Sequence, residues 1–198
     1  MPTLKLGSTT AMTESSGTVS LDSAVGVTYP AGHIVQVVQK SYTTNWTQVM
    51  NASSYEYINN GVEDLNVTIT PSSTTNKIHL TFSFGAVCAN VNGQGHGFGI
   101  GIHRNGTLIS QCTSSASAPN MSFRLGTDDQ QYDPAAQTYQ FVDSPGIITS
   151  CVYKLIGVPH SSSDYTTGWN RGQSKGNDGG AGYKSTTASN FIAMEIVG

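Results

Sequence analysis

Hydrophobic and polar positions alternate with a period of two over much of this chain. The cleanest run is 77–84, where Ile78, Leu80, Phe82 and Phe84 alternate with Lys77, His79, Thr81 and Ser83. Such alternation turns one set of side chains to a core and the other to solvent, and it predicts a half-buried strand. Leu65, Val67 and Ile69 alternate in the same way with Asn66, Thr68 and Thr70, and Pro71-Ser72-Ser73 then makes a turn. Residues 34–38 are a short β-rich run. Gly97, Gly99 and Gly101 alternate with Phe98, Ile100 and Ile102, giving one bulky face and one bare face open to close approach. Asn105-Gly106 is a hairpin signal ahead of 107–109. Further strands are expected over 121–125, 138–142 and 147–156, with a last one at 191–197. Residues 157–190 form a long segment with only a weak strand signal at 167–171. No stretch has convincing helical periodicity. About nine or ten short strands separated by Gly, Asn and Pro turns predict an all-β sandwich or jelly roll.

The first 32 residues break this pattern. Val19 and Leu21 predict one short strand; the rest reads as an extended arm that ends at Pro30 and Gly32. Leu4, Leu6, Val19, Leu21, Val25, Val27 and Tyr29 stand in it among Gly, Ser and Thr. An arm this polar cannot bury itself, so these positions are expected against another subunit or protein. The expected organisation is an arm over 1–32 and a β-sandwich over 33–198.

Composition narrows the partners. Only 11% of the 198 residues are charged, against about 25% in an ordinary soluble domain. That excludes a coiled coil or helical bundle, and 37% hydrophobic residues exclude a disordered chain. Net charge is -3, with the basic residues scattered singly, so no nucleic-acid partner is expected. No apolar run approaches the ~20 residues of a membrane helix, so no membrane partner is expected. Residues 1–10 show no secretory signal. Cys88, Cys112 and Cys151 lack metal-site spacing and read as small buried hydrophobes of a cytoplasmically made protein.

Catalytic chemistry is not visible. His96 and His103 are an odd number of positions apart on one strand and point to opposite faces, which argues against a shared metal. There is no G-x-S-x-G elbow. Glu63-Asp64 and Asp128-Asp129 sit in turn contexts as solvated loop residues. The Gly-rich stretch from Gly93 to Gly101 lacks the Lys and following helix of a phosphate loop. A non-enzyme without cofactor or metal is expected. Trp46, Tyr165, Trp169 and Tyr183 lie in polar, Gly-rich surroundings. Tyr165, Trp169 and Tyr183 are candidate glycan contacts, since exposed rings stack on sugars; the alternative is that such rings plug the sandwich ends or meet sister subunits.

The order of certain stretches resembles a family. PAGHIVQVV (30–38), LNVTITPSSTTNKIHLTFSF (65–84), HRNGTLI (103–109), YQFVDSP (139–145), YKL (153–155), WNRGQS (169–174) and SNFIAMEIVG (189–198) are similar to short virion structural proteins, tail-fibre-like or decoration, of marine and cyanobacterial tailed bacteriophages. The resemblance spans most of 30–198; 85–100 and 175–188 depart from it. It implies a homotrimeric jelly roll like the tumour-necrosis-factor head, with the last strand near the trimer axis. Phe191, Ile192, Met194 and Ile196 are then expected at the trimer interface. Phe191, Ala193 and Glu195 would share one face, Ile192, Met194 and Ile196 the other. The chain shows no heptads or fibre repeats that would make a shaft. The expected role is therefore a capsid decoration (cement) protein in the virion, gripping the major capsid protein or another virion protein through its arm. The alternative is a tail-fibre head or receptor-binding protein that recognises host surface polysaccharide.

Overall fold

A computed structural model describes residues 3–6, 9–16, 18–21, 29–51, 55–90, 96–110, 121–125, 135–159, 164–170 and 187–198. Its described residues are strands and turns without helix, as the period of two requires. The chain forms two compact units, Met1–His33 and Ile34–Gly198.

The first unit is a three-stranded antiparallel sheet in the order β1 (Thr3–Leu6), β2 (Thr9–Ser15), β3 (Thr18–Leu21). An extended arm was expected; only β3 was legible as a strand. The register sets Leu4 opposite Met12 and Met12 opposite Leu21. Ser16, in the tight β2–β3 turn, takes a positive φ of 53°. At the end of this unit the exposed Tyr29 ring stacks on His33, with centroids 4.4 Å apart.

The second unit is a sandwich of two six-stranded sheets. The first holds β4 (Ile34–Tyr42), β5 (Trp46–Met50), β8 (Lys77–Asn90), β12 (Ala135–Asp143), β14 (Tyr165–Trp169) and β15 (Ser189–Ile196). β8 is its spine. Phe82 pairs with Tyr139 of β12 on one edge and with Phe191 of β15 on the other. Val87 pairs likewise with Ala135 and with Trp169 of β14, so β14 continues the line of β15. β4 then pairs with β15 and β5 with β14. The sheet is thus four positions wide: β12, β8, β14 with β15, β4 with β5.

The second sheet holds β6 (Glu56–Tyr57), β7 (Asn66–Ile69), β9 (His96–Arg104), β10 (Thr107–Ser110), β11 (Met121–Leu125) and β13 (Cys151–Pro159). β9 takes β10 and β11 on one edge and β13 on the other; β13 takes β6 and β7 on its far edge. The β9–β10 turn has Asn105 at φ 50° and Gly106 at φ 83°. Both central residues are left-handed, as the favoured two-residue hairpin demands, and Asn-Gly is the pair that tolerates it.

Between the sheets lies one apolar core. Leu80, Phe82, Phe84 and Phe191 from the first sheet meet Ile100, Ile102, Tyr153 and Leu155 from the second. Phe82 packs edge-on against both Phe84 and Phe191. The alternating residues of 77–84 occupy this core as the pattern predicts. On one side of the sandwich Tyr42 joins the sheets: its hydroxyl accepts the Asn66 N–H at 2.7 Å and donates to the Asn66 carbonyl at 2.9 Å.

Candidate functional site: an outward apolar face

β15 alternates without a break: Ser189, Phe191, Ala193 and Glu195 are buried, while Asn190, Ile192, Met194 and Ile196 are partly exposed. The inward set belongs to the core of the same chain. The outward set continues across the sheet by register. Val37, Met194, His79 and Val142 stand side by side on β4, β15, β8 and β12. Beside them Ile34 faces Ile196, and on the other side Gln39, Ile192, Thr81 and Gln140 form the next row. Ile34, Val37 and Val142 are 47%, 57% and 53% exposed. The following row, Ser41, Asn190, Ser83 and Thr138, is polar and hydrogen-bonded to itself. The outward face therefore gathers its apolar residues toward one end, where the exposed Lys77 stands beside Ile196 at the margin, and its polar residues toward the other. Scattered exposed apolar residues are ordinary, but a stripe aligned across a whole sheet marks a surface suited to a partner.

Beneath the apolar end, the neighbouring inward row is Gln36, Glu195, Ile78 and Asp143. Each of its carboxylates is held by residues distant in sequence. Glu195 Oε1 accepts from the Ser72 N–H, the Ser72 hydroxyl and Asn76 Nδ2, all at 2.7 Å. Burial alone would raise this carboxyl, but the Asn76 and Ser72 donors outweigh it and hold the pKa below the usual carboxylate range. Asp143 Oδ2 accepts from Arg104 Nη1 at 2.6 Å and from the buried Tyr153 hydroxyl at 2.7 Å. Burial, then the neighbouring Asp143, pushes the Tyr153 phenol far above its ordinary value. Burial likewise raises the Cys151 thiol, so this residue is an inert part of the core. Cys112 lies outside the described residues, and Cys88 is placed only as a position on β8.

The stretches that carried the family resemblance meet in these clusters. TPSS, NKI and MEI supply Ser72, Asn76 and Glu195; HRNGT, DSP and YKL supply Arg104, Asp143 and Tyr153. WNRG and SNF meet at the other end. Asn170, at φ 56°, donates to the Tyr42 and Thr44 carbonyls and accepts from the Ser189 hydroxyl. All of these are groups that must be satisfied once buried, so these stretches read as fasteners of the sandwich.

The expected site residues fare differently. Ile192, Met194 and Ile196 lie on the outward face. Phe191 does not: it is fully buried against Phe82 and is corrected to a core residue. Trp169 is also corrected, because it is 0% exposed. Its ring stacks on Trp46 at 5.8 Å and its indole N–H donates to Thr167 at 2.8 Å, so no sugar ring can reach it. Tyr165 opens β14, opposite Met50. Tyr183, Val25 and Val27 lie outside the described residues, and Leu4, Leu6, Val19 and Leu21 are placed only as strand positions of the first unit. Glu63 and Asp64, read as solvated, are ion-paired: Glu63 with Lys40 at 2.5 Å and Asp64 with Lys154 at 2.8 Å. Burial would raise Asp64, but the Lys154 and Asn59 donors hold it below its ordinary value. The outward row itself was only half legible, since alternation places residues on a face but does not say which strands lie side by side.

No protein-family model matches the chain, and no curated protein matches it in sequence. Among solved structures it is similar to dimeric latent PorU from Porphyromonas gingivalis, at 11% identity and TM-score 0.35 over 77% of this chain and 13% of that one. It is also similar to the VP2 subviral particle of infectious bursal disease virus, at 10% identity and TM-score 0.38 over 100% of this chain and 42% of that one. A third is a disulfide-linked pilus family of Bacillus endospore appendages, at 6% identity and TM-score 0.28 over 88% and 100%. The chain thus spans about an eighth of the length of the first and about two fifths of the second. No helix among the described residues is long and apolar enough to cross a membrane.

Proposed function

We propose that this chain is a non-enzymatic structural protein of a phage particle that self-associates as a homotrimer through the outward face of its first sheet. The observation that carries the reading is the row Val37, Met194, His79 and Val142, with Ile34 and Ile196 beside it. Such a face gains from a second copy, and a charge-poor partner surface avoids burying unpaired charges, each of which costs several kcal/mol. The sheet order supports a jelly roll. Taken in chain order, β4–β5 lie in one sheet, β6–β7 in the other, β8 in the first, β9 to β11 in the second, β12 in the first, β13 in the second and β14–β15 in the first. This is the eight-position, two-sheet pattern of that architecture.

The particle reading rests on the resemblance of the ordered stretches to those of tailed-phage virion proteins. Within it we favour decoration of the capsid, with the 33-residue first unit as the attachment element. Burial of Trp169 removes the strongest of the aromatic glycan contacts and weakens the receptor-binding alternative. Sedimentation of the full chain tests the self-association: a trimer is expected, and a monomer at high concentration overturns it. Staining the band against the major capsid protein in purified virions tests the role, with hundreds of copies expected for decoration and a few dozen for a fibre head.

A further inference from the structure

On the outward face of the second sheet one side chain stands apart chemically. His103 is only 2% exposed although it sits on the outer side of β9, with the core residue Ile102 and the part-buried Arg104, which reaches Asp143, turned the other way. What covers it is the short segment 55–57. The rings of Tyr55 and Tyr57 meet the imidazole edge-on, at 5.2 and 5.3 Å between centroids. The Tyr57 hydroxyl lies 2.8 Å from His103 Nδ1. The other nitrogen, Nε2, is buried with no hydrogen-bond partner among the described residues.

Two features make this burial specific to the neutral ring. A neutral imidazole leaves one nitrogen unpaired, whichever tautomer is present. A protonated ring would instead bury an N–H carrying part of a full charge with no acceptor, which costs far more. The charged group nearest in register is also of the wrong sign. Lys154 is the cross-strand partner of His103, and its ammonium lies 4.9 Å from the Tyr57 ring centroid. Asp64 already answers that ammonium at 2.8 Å. From β10 the register partner is Leu108, which cannot answer a charge. Consistently, burial lowers the His103 pKa from its ordinary value.

The cover is lightly attached. β6 is two residues long and pairs with Ile156 and Gly157. Beyond that pairing, the Gln48 amide donates to the Tyr57 carbonyl at 2.8 Å. Tyr55 is 53% exposed, whereas the next residue after the strand, Ile58, is fully buried and anchors the segment to the core. The cover can therefore lift without the sandwich opening.

We propose that Tyr55–Tyr57 is an acid-released flap: protonation of His103 detaches it and uncovers the outer face of β9 and β13. The sign follows from linkage. With the folded pKa depressed, the closed form is favoured above the ordinary imidazole value and loses that advantage as pH falls below it.

Hydrogen exchange of the full chain at neutral and mildly acidic pH, corrected for intrinsic rates, tests this. Exchange at Glu56 and Tyr57 is expected to rise about tenfold for each unit by which the pKa is depressed, once pH lies below the folded value, while Ile58, β8 and β15 stay protected. His103→Phe keeps the ring contacts and cannot be protonated, so its flap should show no such rise. An unchanged flap in the native chain, or the same rise in His103→Phe, overturns the proposal. If His103→Phe does not fold, the NMR titration of the His103 ring decides. A midpoint below the ordinary value that coincides with flap release supports the proposal, and a ring that titrates with the flap still closed overturns it.

Discussion

The row that turns inward through Gln36, Glu195, Ile78 and Asp143 lies directly beside the row that turns outward through Val37, Met194, His79 and Val142. Both come from the same alternating strands. The inward row carries two carboxylates inside the sandwich, and the outward row carries three apolar side chains toward solvent. That is the reverse of what polarity alone would assign. The difference lies in what each row meets. The carboxylates find donors from loops and strands far off in sequence, so their burial is answered within the chain. The apolar side chains find nothing comparable among the described residues, and a second copy would answer them. Inward residues should therefore act on stability, and outward ones on association.

The largest break in that comparison is Phe191→Ala. Phe191 shares the inward face of β15 with Glu195, with Ala193 between them, and packs edge-on against Phe82 at 5.1 Å. Its loss should cost about 3–5 kcal/mol, from lost burial plus the cavity left behind. Urea unfolding should show a lower midpoint with an unchanged slope. A loss below about 1 kcal/mol would mean that the ring lies in an intersubunit contact, as the family resemblance first implied.

Arg104→Met comes next. It leaves Asp143, which is 8% exposed, with only the Tyr153 hydroxyl. Removing one partner of a buried pair costs about 3 kcal/mol or more, since the remaining charge stays desolvated. Changing Asp143 to Asn in the same chain should recover part of that loss, and a double-mutant cycle reads the coupling. Additive effects would show that the pair does not act as a unit.

These two residues also show how far the sequence was legible. Alternation at 78–84 and 191–197 and the Asn-Gly hairpin are local signals that reappear in the strand bounds and turns, whereas the turn expected at Pro71-Ser72-Ser73 falls just after it, at Thr74-Thr75, where the Asn76 N–H donates to the Ser73 carbonyl. Arg104 meeting Asp143, or Glu195 meeting Ser72, is a contact across dozens of residues that no local period encodes. The one available signal was scarcity. In a chain with nine Lys plus Arg and twelve Asp plus Glu, a charge inside an apolar strand needs a partner. Trp169 was misread for the same reason. Its polar, Gly-rich neighbours in sequence say nothing of Trp46, which stands opposite it only once β5 and β14 pair. In the first unit only β3 was anticipated, because the polar, Thr-rich β2 lacks apolar alternation and β1 offers just two alternating leucines.

Glu195→Gln is a smaller test, and its signature is pH. The native carboxylate pKa is depressed, so its stabilisation is present above the unfolded-state value and is lost as pH falls through the folded one. At neutral pH the substitution should cost about 1–3 kcal/mol, as for hydrogen bonds to a charged group. At low pH the two proteins should converge. A difference that stays constant from neutral pH to about pH 3 would mean that the Ser72 and Asn76 donors contribute through geometry and not through charge.

The smallest effect on folding, and the sharpest on the comparison, is expected from Met194→Lys. Met194 shares a strand with Phe191 and Glu195 but faces outward, so its replacement should change the stability of the dissociated chain by no more than about 0.5 kcal/mol. Lysine also carries its charge on a flexible stem that can cover apolar surface while staying wet. Self-association is where the change should appear. If the outward row is a subunit contact, the unfolding midpoint of the native chain rises with protein concentration by mass action, whereas that of Met194→Lys does not. Val37→Lys, opposite it on β4, should behave alike, since both place an unpaired ammonium within the same buried row. A concentration-dependent midpoint that survives both substitutions would move the contact to another surface. A native midpoint that does not vary with concentration, in a chain that sediments as a monomer, would leave the row to a different partner.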